Sequence, residues 1–476
     1  MKAAVSCLYA SYGRYIDGHR AIPSNIDALK LSHRRSLMSL FDVAKDKYVK
    51  SAKVVGYIIG NFHPHGDLSA YQTVFTLVMQ GFVDPGGSWG SRGMDGTDNP
   101  SAMRYTECRL SKWVKELAFQ YVNYVPWENF ELENEPLYLP APIPIGLIGT
   151  DNISGIAFHT TMIPKYKKTD LAKRLKWIIE NYETYPNFDN YNESSDFNEN
   201  KLGPEIKPNF RDCKCKEDNP GDFYKLLYKG VGKIRAIPNG CIKGNNIYIQ
   251  GKAPFNTFEK LKNNIDDKKL DVTLTDYSAN GDDPYSINGE IKPRKKLSQK
   301  ELKTLFTNIW KDYLVKSFNY RCYFVDENHI PEIYGIDQIL INNYERYVNA
   351  VLKYRIEVFE NLNNKLFHNH IILIIKNLID NNKIGSIKDL INTYNQIYKG
   401  VQHVNLEKIE NDSFVTYKKQ ITEDDIKDTC NKRSITKLIQ VKIDLNQIKQ
   451  DILDAKKSID DINEDCLKKV ENLISS

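Results

Sequence analysis

The sequence predicts an α+β chain that is mainly helical. Three observations point there. Apolar residues in the first third recur at three- and four-residue spacing. The run 136–165 is too proline-punctuated for helix. An apolar seam stepping alternately by four and three residues runs through the last fifty. The 476 residues are enough for two to four domains with proper cores.

Residues 1–135 read as short helices with polar turns. Val54, Val55, Ile58 and Ile59 share one helical face, and Ala70, Val74, Phe75 and Val78 another. Between them, N-F-H-P-H-G-D carries Pro64 and Gly66 to stop the first helix and Asp67 to cap the second. Two short helices about a tight turn suit a helix-turn-helix or an ordinary helical hairpin. Over 136–165, L-P-A-P-I-P-I-G-L-I-G-T predicts strand and loop. From 165 to about 328 helical stretches (170–182) alternate with strand-like ones (246–251), and the polar 183–222 reads as a long surface excursion.

Near 330 a third region begins. Tyr344, Val348, Val351, Val358 and Leu362 mark one helical stripe. Val441, Leu445, Ile448, Ile452, Ala455, Ile459, Ile462 and Cys466 form the sustained seam. This predicts one long helix packed on another over 340–366, with 368–430 as a compact helical knob.

Composition says less about function. The 66 basic and 61 acidic residues leave a net charge of +5, too small to identify a nucleic-acid binder. Arg14, Arg20, Lys30, Arg34, Arg35, Lys45, Lys47, Lys50 and Lys53 do cluster over 14–53. On composition alone a solvated charged face is the better reading of that cluster than a phosphate-binding one. Of eight cysteines only Cys213 and Cys215 lie close, and a lone C-x-C cannot fill a tetrahedral zinc site. Free thiols in a reducing compartment follow. No signal peptide opens the chain, and the apolar 371–375 is too short to span a bilayer. A cytoplasmic protein with no membrane partner is expected.

Several blocks stand together: R-A-I-P at 20–23, H-R-R at 33–35, S-A-K-V-V-G at 51–56, H-P-H-G-D at 63–67, W-G-S at 89–91, A-M-R-Y-T-E at 102–107 and S-G-I-A at 154–157. No single block proves much. In order and spacing they closely resemble the A subunits of bacterial DNA gyrase and topoisomerase IV. The resemblance spans nearly the whole chain, through G-x-G-K at 230–233 to the two long helices.

The resemblance implies a winged-helix DNA gate over 1–135, an α/β tower over 136–328, and a long antiparallel coiled coil with a terminal helical dimer gate over 329–476. It implies a homodimer acting on double-stranded DNA. Tyr105 matches the nucleophile that forms a reversible 5′-phosphotyrosyl link. A phenol ionises near pH 10, so it needs help at neutral pH. Arg104 matches the transition-state arginine, and Arg20 and Arg35 match two further arginines near the reacting phosphate. For Arg20, a plain phosphate contact weighs as much as catalysis. His65 matches a histidine near that phosphate, although the sequence leaves the general base open. Lys30, His33, Arg34 and His63 match contacts to the DNA backbone. Ile156 matches the isoleucine that wedges between base pairs and bends the DNA.

The family also needs Mg2+ and ATP. No Walker motif, GHKL-type ATPase run or Toprim-like D-x-D appears in this sequence. Both cofactors are therefore expected in a gyrase B-like ATPase/Toprim partner, giving a heterotetramer. The sequence stops where the seam ends, with a short amino-terminal arm and no β-pinwheel. That is similar to compact, phage-encoded subunits and leads us to expect relaxation or decatenation rather than negative supercoiling. Two other classes fit the blocks. One is a non-catalytic DNA-binding scaffold, which the intact Arg104, Tyr105 and His65 disfavour. The other is a DNA-cleaving defence or toxin protein of the same fold. Finally, the helix after H-P-H-G-D in relatives carries a serine and, four residues on, an acid that anchor the hydrated magnesium of fluoroquinolones. Leu68 and Gln72 stand there in this sequence, and poor fluoroquinolone response is expected.

Overall fold

The computed structural model describes residues 2–62, 66–90, 99–130, 133–185, 202–251, 253, 258–277, 288–382, 384, 386–399, 401–432 and 435–475. The chain divides into two compact units, 1–350 with 466–476, and 351–465.

The first unit opens with α1 (Lys2–Ile16) and a single π turn, Asp17–Ala21. Helices α2 (Leu31–Val43), α3 (Ser51–Tyr57) and α4 (Asp67–Met79) then pack together. Val54, Val55, Ile58, Ala70, Val74 and Val78 are buried as the spacing predicts. Two details differ. Helix α3 continues as a π turn over Ile58–Phe62, and the N-cap of α4 is Gly66, with Asp67 as its first residue. An acid there still favours the positive end of the helix. Strands β1 (Val49–Lys50), β2 (Val83–Gly86) and β3 (Glu107–Leu110) form an antiparallel sheet in the order β1-β3-β2. Helix α5 (Lys112–Ala118) and the hairpin β4 (Trp127–Phe130) and β5 (Glu133–Pro136) follow.

The proline-punctuated run, expected as strand and loop, is loop with one 3-10 turn at Ile145–Leu147. Leu139, Ala141, Ile143, Ile145 and Leu147 are all fully buried. The hairpin β6 (Asn152–Ile156) and β7 (Thr160–Pro164) then starts an eight-stranded sheet. That sheet takes in β8 (Cys213–Glu217), β9 (Val231–Lys243), β10 (Asn246–Gln250), β11 (Val272–Asp276), β12 (Asn288–Pro293) and β13 (Lys316–Arg321). Helices α6 (Lys168–Glu180), α7 (Asp222–Lys229), α8 (Phe258–Asp267) and α9 (Gln299–Ile309) are interspersed with these strands. Of the expected surface excursion over 183–222, residues 186–201 lie outside the described residues, and the described part is not all excursion. Residues 213–217 alternate half-buried and exposed positions and pair with β9, so Cys213 and Cys215 lie on a strand. Burial pushes both thiols up to about 12, so they stay protonated. A short β14 (Tyr323–Val325) and β15 (Pro331–Ile333) close this part, and α10 (Ile336–Asn382) begins in this unit.

In the second unit, α10 continues for 32 residues, from 351 to Asn382. Phe359, Leu366 and Phe367 of α10 share an apolar core with Ile448, Ile452 and Ala455 of α14 (Leu445–Asp460). Between them come α11 (Ile387–Tyr398), the hairpin β16 (His403–Glu410) and β17 (Ser413–Gln420), α12 (Glu423–Lys432) and α13 (Ile435–Gln440). The expected knob therefore holds a β-hairpin and is not purely helical. The seam is also not one helix. The Asp444 side chain accepts the backbone N–H groups of Asn446 and Gln447, both at 3.0 Å, and starts α14 afresh. A second break falls at Asp461, before α15 (Ile462–Ser475). There the Arg355 guanidinium donates to the Ser458 carbonyl and to Asp465 at 2.9 Å. That carbonyl would otherwise serve Ile462 in the helical ladder. Among the described residues no helix is long and apolar enough to cross a membrane.

Candidate active site

The block A-M-R-Y-T-E forms a tight turn entering β3. The first N–H groups of any helix lack intrahelical partners. At α3 two of these go to the turn. Ser51 N donates to the Thr106 carbonyl at 3.0 Å, and Ala52 N to the Met103 carbonyl at 3.1 Å. Tyr105 N closes the turn onto Ala102 O at 2.8 Å. From the other side comes Gly87, at φ +79°. A Cβ there would stand 3.1 Å from the Tyr105 carbonyl, so glycine suits both the backbone angle and the close approach. The buried Trp89 indole donates to Gly86 O at 3.0 Å and to Glu107 O at 2.9 Å.

This cradle presents Arg104 and Tyr105 outward. Tyr105 is 64% exposed, and the Arg104 guanidinium carbon lies 4.7 Å from its ring centroid. An exposed phenol beside an exposed guanidinium is the pairing that a phosphate-directed nucleophile needs.

Other expected residues fall into three groups. Ile156 ends β6 at the hairpin tip and is 82% exposed. Its neighbour Gly155 lets the hairpin meet the R-A-I-P block, because a Cβ at 155 would stand 2.1 Å from the Ala21 carbonyl. Lys30 donates through Nζ to Ser154 O at 2.7 Å, tying the start of α2 to the same hairpin. Burial lowers its pKa. Arg20 is exposed, with its guanidinium carbon 5.9 Å from the Tyr15 ring centroid.

Arg34 and Arg35 depart from expectation. Arg34 binds Asp27 through Nε at 2.8 Å and Nη2 at 2.9 Å. Burial works against its charge, but Asp27 and then Glu135 outweigh this and raise its pKa. Arg35 is 2% exposed and binds Glu135 through two bonds of 2.8 Å. Expected as phosphate ligands, both guanidiniums are instead engaged fork to fork by carboxylates. The inner face of α2 is buried, and a guanidinium there is costly unless paired. Burial, then the nearby Lys30 and Lys165 ammoniums, pull His33 down to about 3, so it is neutral. His63 and His65 lie outside the described residues.

Sequence reasoning missed Asp27, Glu135, Ser51 and Tyr71. Ser51 opens the S-A-K-V-V-G block. Nothing in the one-dimensional pattern said that its hydroxyl meets that of Thr106.

A family model for the A subunit of DNA gyrase/topoisomerase IV matches residues 20–475. The chain belongs to this family. It is 37% identical over 190 residues to the DNA gyrase A subunit of Dehalogenimonas lykanthroporepellens, covering 37% of this chain and 22% of that protein. To the Streptomyces coelicolor DNA gyrase A subunit it is 34% identical over 189 residues, 37% of this chain and 21% of the relative. With the DNA topoisomerase 4 A subunit of Haemophilus influenzae it shares 28% identity over 373 residues, 73% of this chain and 47% of the relative. The matches thus cover between about a fifth and about half the length of these curated relatives. In this gyrase/topoisomerase IV A-type chain, the Tyr105 turn falls within the matched segment.

Proposed function

We propose that this chain is the DNA breakage–reunion subunit of an ATP-dependent type IIA topoisomerase. The exposed Tyr105 beside Arg104, in a chain of this family, carries the reading. The Tyr105 phenolic oxygen attacks a backbone phosphorus. An O–P bond forms, the P–O3′ bond breaks, and the 3′-oxygen leaves with a proton. Reversal by that hydroxyl restores the strand and frees the phenol. Arg104 bears on the phosphate oxygens as charge builds there. Ile156 enters the base stack and bends the duplex, while Lys30, His33 and Arg20 steady its backbone. Arg34 and Arg35 hold Asp27 and Glu135 and shape α2 beneath.

In this reading α2–α4 with the three-stranded sheet are the winged-helix gate, 136–328 the tower, and 329–476 the coiled coil and dimer gate. The chain pairs with its own copy and with a gyrase B-like ATPase/Toprim partner, forming a heterotetramer at the nucleoid. Among the described residues no group of three His, Cys, Asp or Glu side chains could hold a metal ion. Mg2+ and ATP are assigned to the partner in this reading, and no step here runs through either.

The test is covalent trapping. The full chain, a B-type subunit of the family, Mg2+ and an end-labelled duplex are mixed and quenched with detergent. A Tyr105-dependent adduct that reseals on metal chelation is expected. An adduct that persists with Tyr105→Phe overturns the assignment. Absence of any adduct favours a DNA-binding scaffold, and breaks that never reseal favour a nuclease-like defence protein.

A further inference from the structure

We propose that Thr106 is a positioning residue for the Tyr105 nucleophile, acting through a buried chain of hydroxyls that ties the Tyr105 turn to helices α3 and α4. This rests on the reading of Tyr105 given above.

Thr106 follows Tyr105 directly, yet its side chain is fully buried while Tyr105 is exposed. Its Oγ1 donates to Ser51 Oγ, at 2.8 Å, on the first residue of α3. The Tyr71 hydroxyl, from α4, stands 2.8 Å from the same Oγ1 and donates to the Ser101 carbonyl at 2.6 Å. Three hydroxyls from three elements thus meet directly behind the nucleophile.

Packing alone does not call for them. The surrounding core is apolar, with Val54, Val74 and Leu110 fully or almost fully buried, and valine matches threonine in shape. Buried hydroxyls gain little net stability even when bonded and cost about 1–3 kcal/mol when left unpaired. What they supply is direction. The two backbone bonds from Ser51 and Ala52 both come from α3, and neither reaches α4. Tyr71 supplies the second direction, its one hydroxyl proton shared between the Ser101 carbonyl and Thr106 Oγ1. Gly87 leaves room beside the Tyr105 carbonyl that a side chain would crowd. A nucleophile is sensitive to its placement, because misplacement by about 1 Å can cost a hundredfold in rate.

The test uses the full chain with the same B-type partner, Mg2+ and labelled duplex. Single-turnover adduct formation is compared with DNA affinity and with Tm for Thr106→Val, Thr106→Ser and the unaltered chain. Thr106→Val should slow adduct formation by about ten- to a hundredfold while DNA Kd stays within about twofold. Thr106→Ser, which keeps the hydroxyl, should restore most of the rate. A purely structural role would lower Tm without this split and without rescue by serine. Wild-type cleavage by Thr106→Val, or equal loss in both variants, overturns the proposal. If the valine variant does not fold, Tyr71→Phe breaks the chain from α4, and an unchanged cleavage rate there overturns it equally. Should the unaltered chain give no adduct, or Tyr105→Phe still give one, it is the reading of the nucleophile that fails.

Discussion

The Arg104 guanidinium carbon lies 4.7 Å from the centroid of the neighbouring Tyr105 ring, and both side chains face solvent. Consecutive residues on a strand point to opposite faces. The turn before β3 instead brings these two to one side, where a single phosphate can meet both. Arg104→Ala should therefore lower the single-turnover cleavage rate by about a hundredfold or more, with DNA affinity reduced only a few-fold. Arg104→Lys should recover part of the rate, since a point charge replaces a fork. Equal losses of affinity and rate in a filter-binding and cleavage comparison would reduce Arg104 to a plain phosphate contact.

Leu68 and Gln72 lie one turn apart on α4, and both are exposed. Neither gives a hydrated cation a charged ligand, and leucine gives it no hydrogen bond. Ciprofloxacin should stabilise the cleavage complex of the unaltered protein poorly. Leu68→Ser/Gln72→Glu should increase drug-trapped breaks in a titration. Ser69 does not substitute, because one step along a helix turns a side chain by about 100°. Gyrase-like sensitivity in the unaltered protein would refute this reading of α4.

His33 contributes a pH dependence to folding. Its folded pKa is about 3, against an ordinary 6.5, because burial and the Lys30 and Lys165 ammoniums oppose its charge. Above about 6.5 the folded and unfolded forms are both neutral and the group is silent. Below that, the unfolded chain takes up a proton that the folded one refuses, so stability falls as pH drops toward 3. The slope from this group approaches about 1.4 kcal/mol per pH unit. Urea unfolding at pH 7.5 and pH 5 should show the loss, and His33→Gln should reduce it. An identical pH slope in the variant would remove His33 from the account.

Arg174 on α6 and Asp337 at the start of α10 form a fully buried pair, with Nη2–Oδ2 at 2.6 Å and the Tyr185 hydroxyl donating to Asp337 at 2.9 Å. Asp337→Leu should destabilise the first unit by about 3–5 kcal/mol, because it strands a buried guanidinium. Replacing both partners by leucine should cost less than the single change. Denaturant midpoints decide, and a harmless single variant would contradict the burial.

Gly155→Ala pushes a methyl against the Ala21 carbonyl. A loss of about 1–3 kcal/mol is expected, together with weaker DNA bending as the Ile156 tip shifts. Unfolding curves and end-to-end energy transfer on a labelled duplex measure the two effects. Unchanged bending would separate Gly155 from Ile156.

By itself, the sequence determined which family the chain belongs to, the inward faces of α3 and α4 and the proline-punctuated loop before Ile156, and it singled out Arg104 and Tyr105 as the proposed reactive pair. These rest on local order, that is, on spacing along one helix or residues within one short block. Tertiary structure alone decided what those residues touch. The partner of Arg35 is Glu135, a hundred positions away, and that distance turned an expected phosphate ligand into a buried strut. The helix along the seam breaks at Asp461, where Arg355 pairs with Asp465, although the periodicity presents it as continuous. Thr106 lies beside Tyr105 in sequence, yet its meeting with Ser51 and Tyr71 follows only once α3 and α4 have packed. A repeat of apolar residues says which face turns inward. It carries no information on which distant polar group waits there, because that choice is made by packing and by the cost of leaving a buried charge or hydroxyl unpaired.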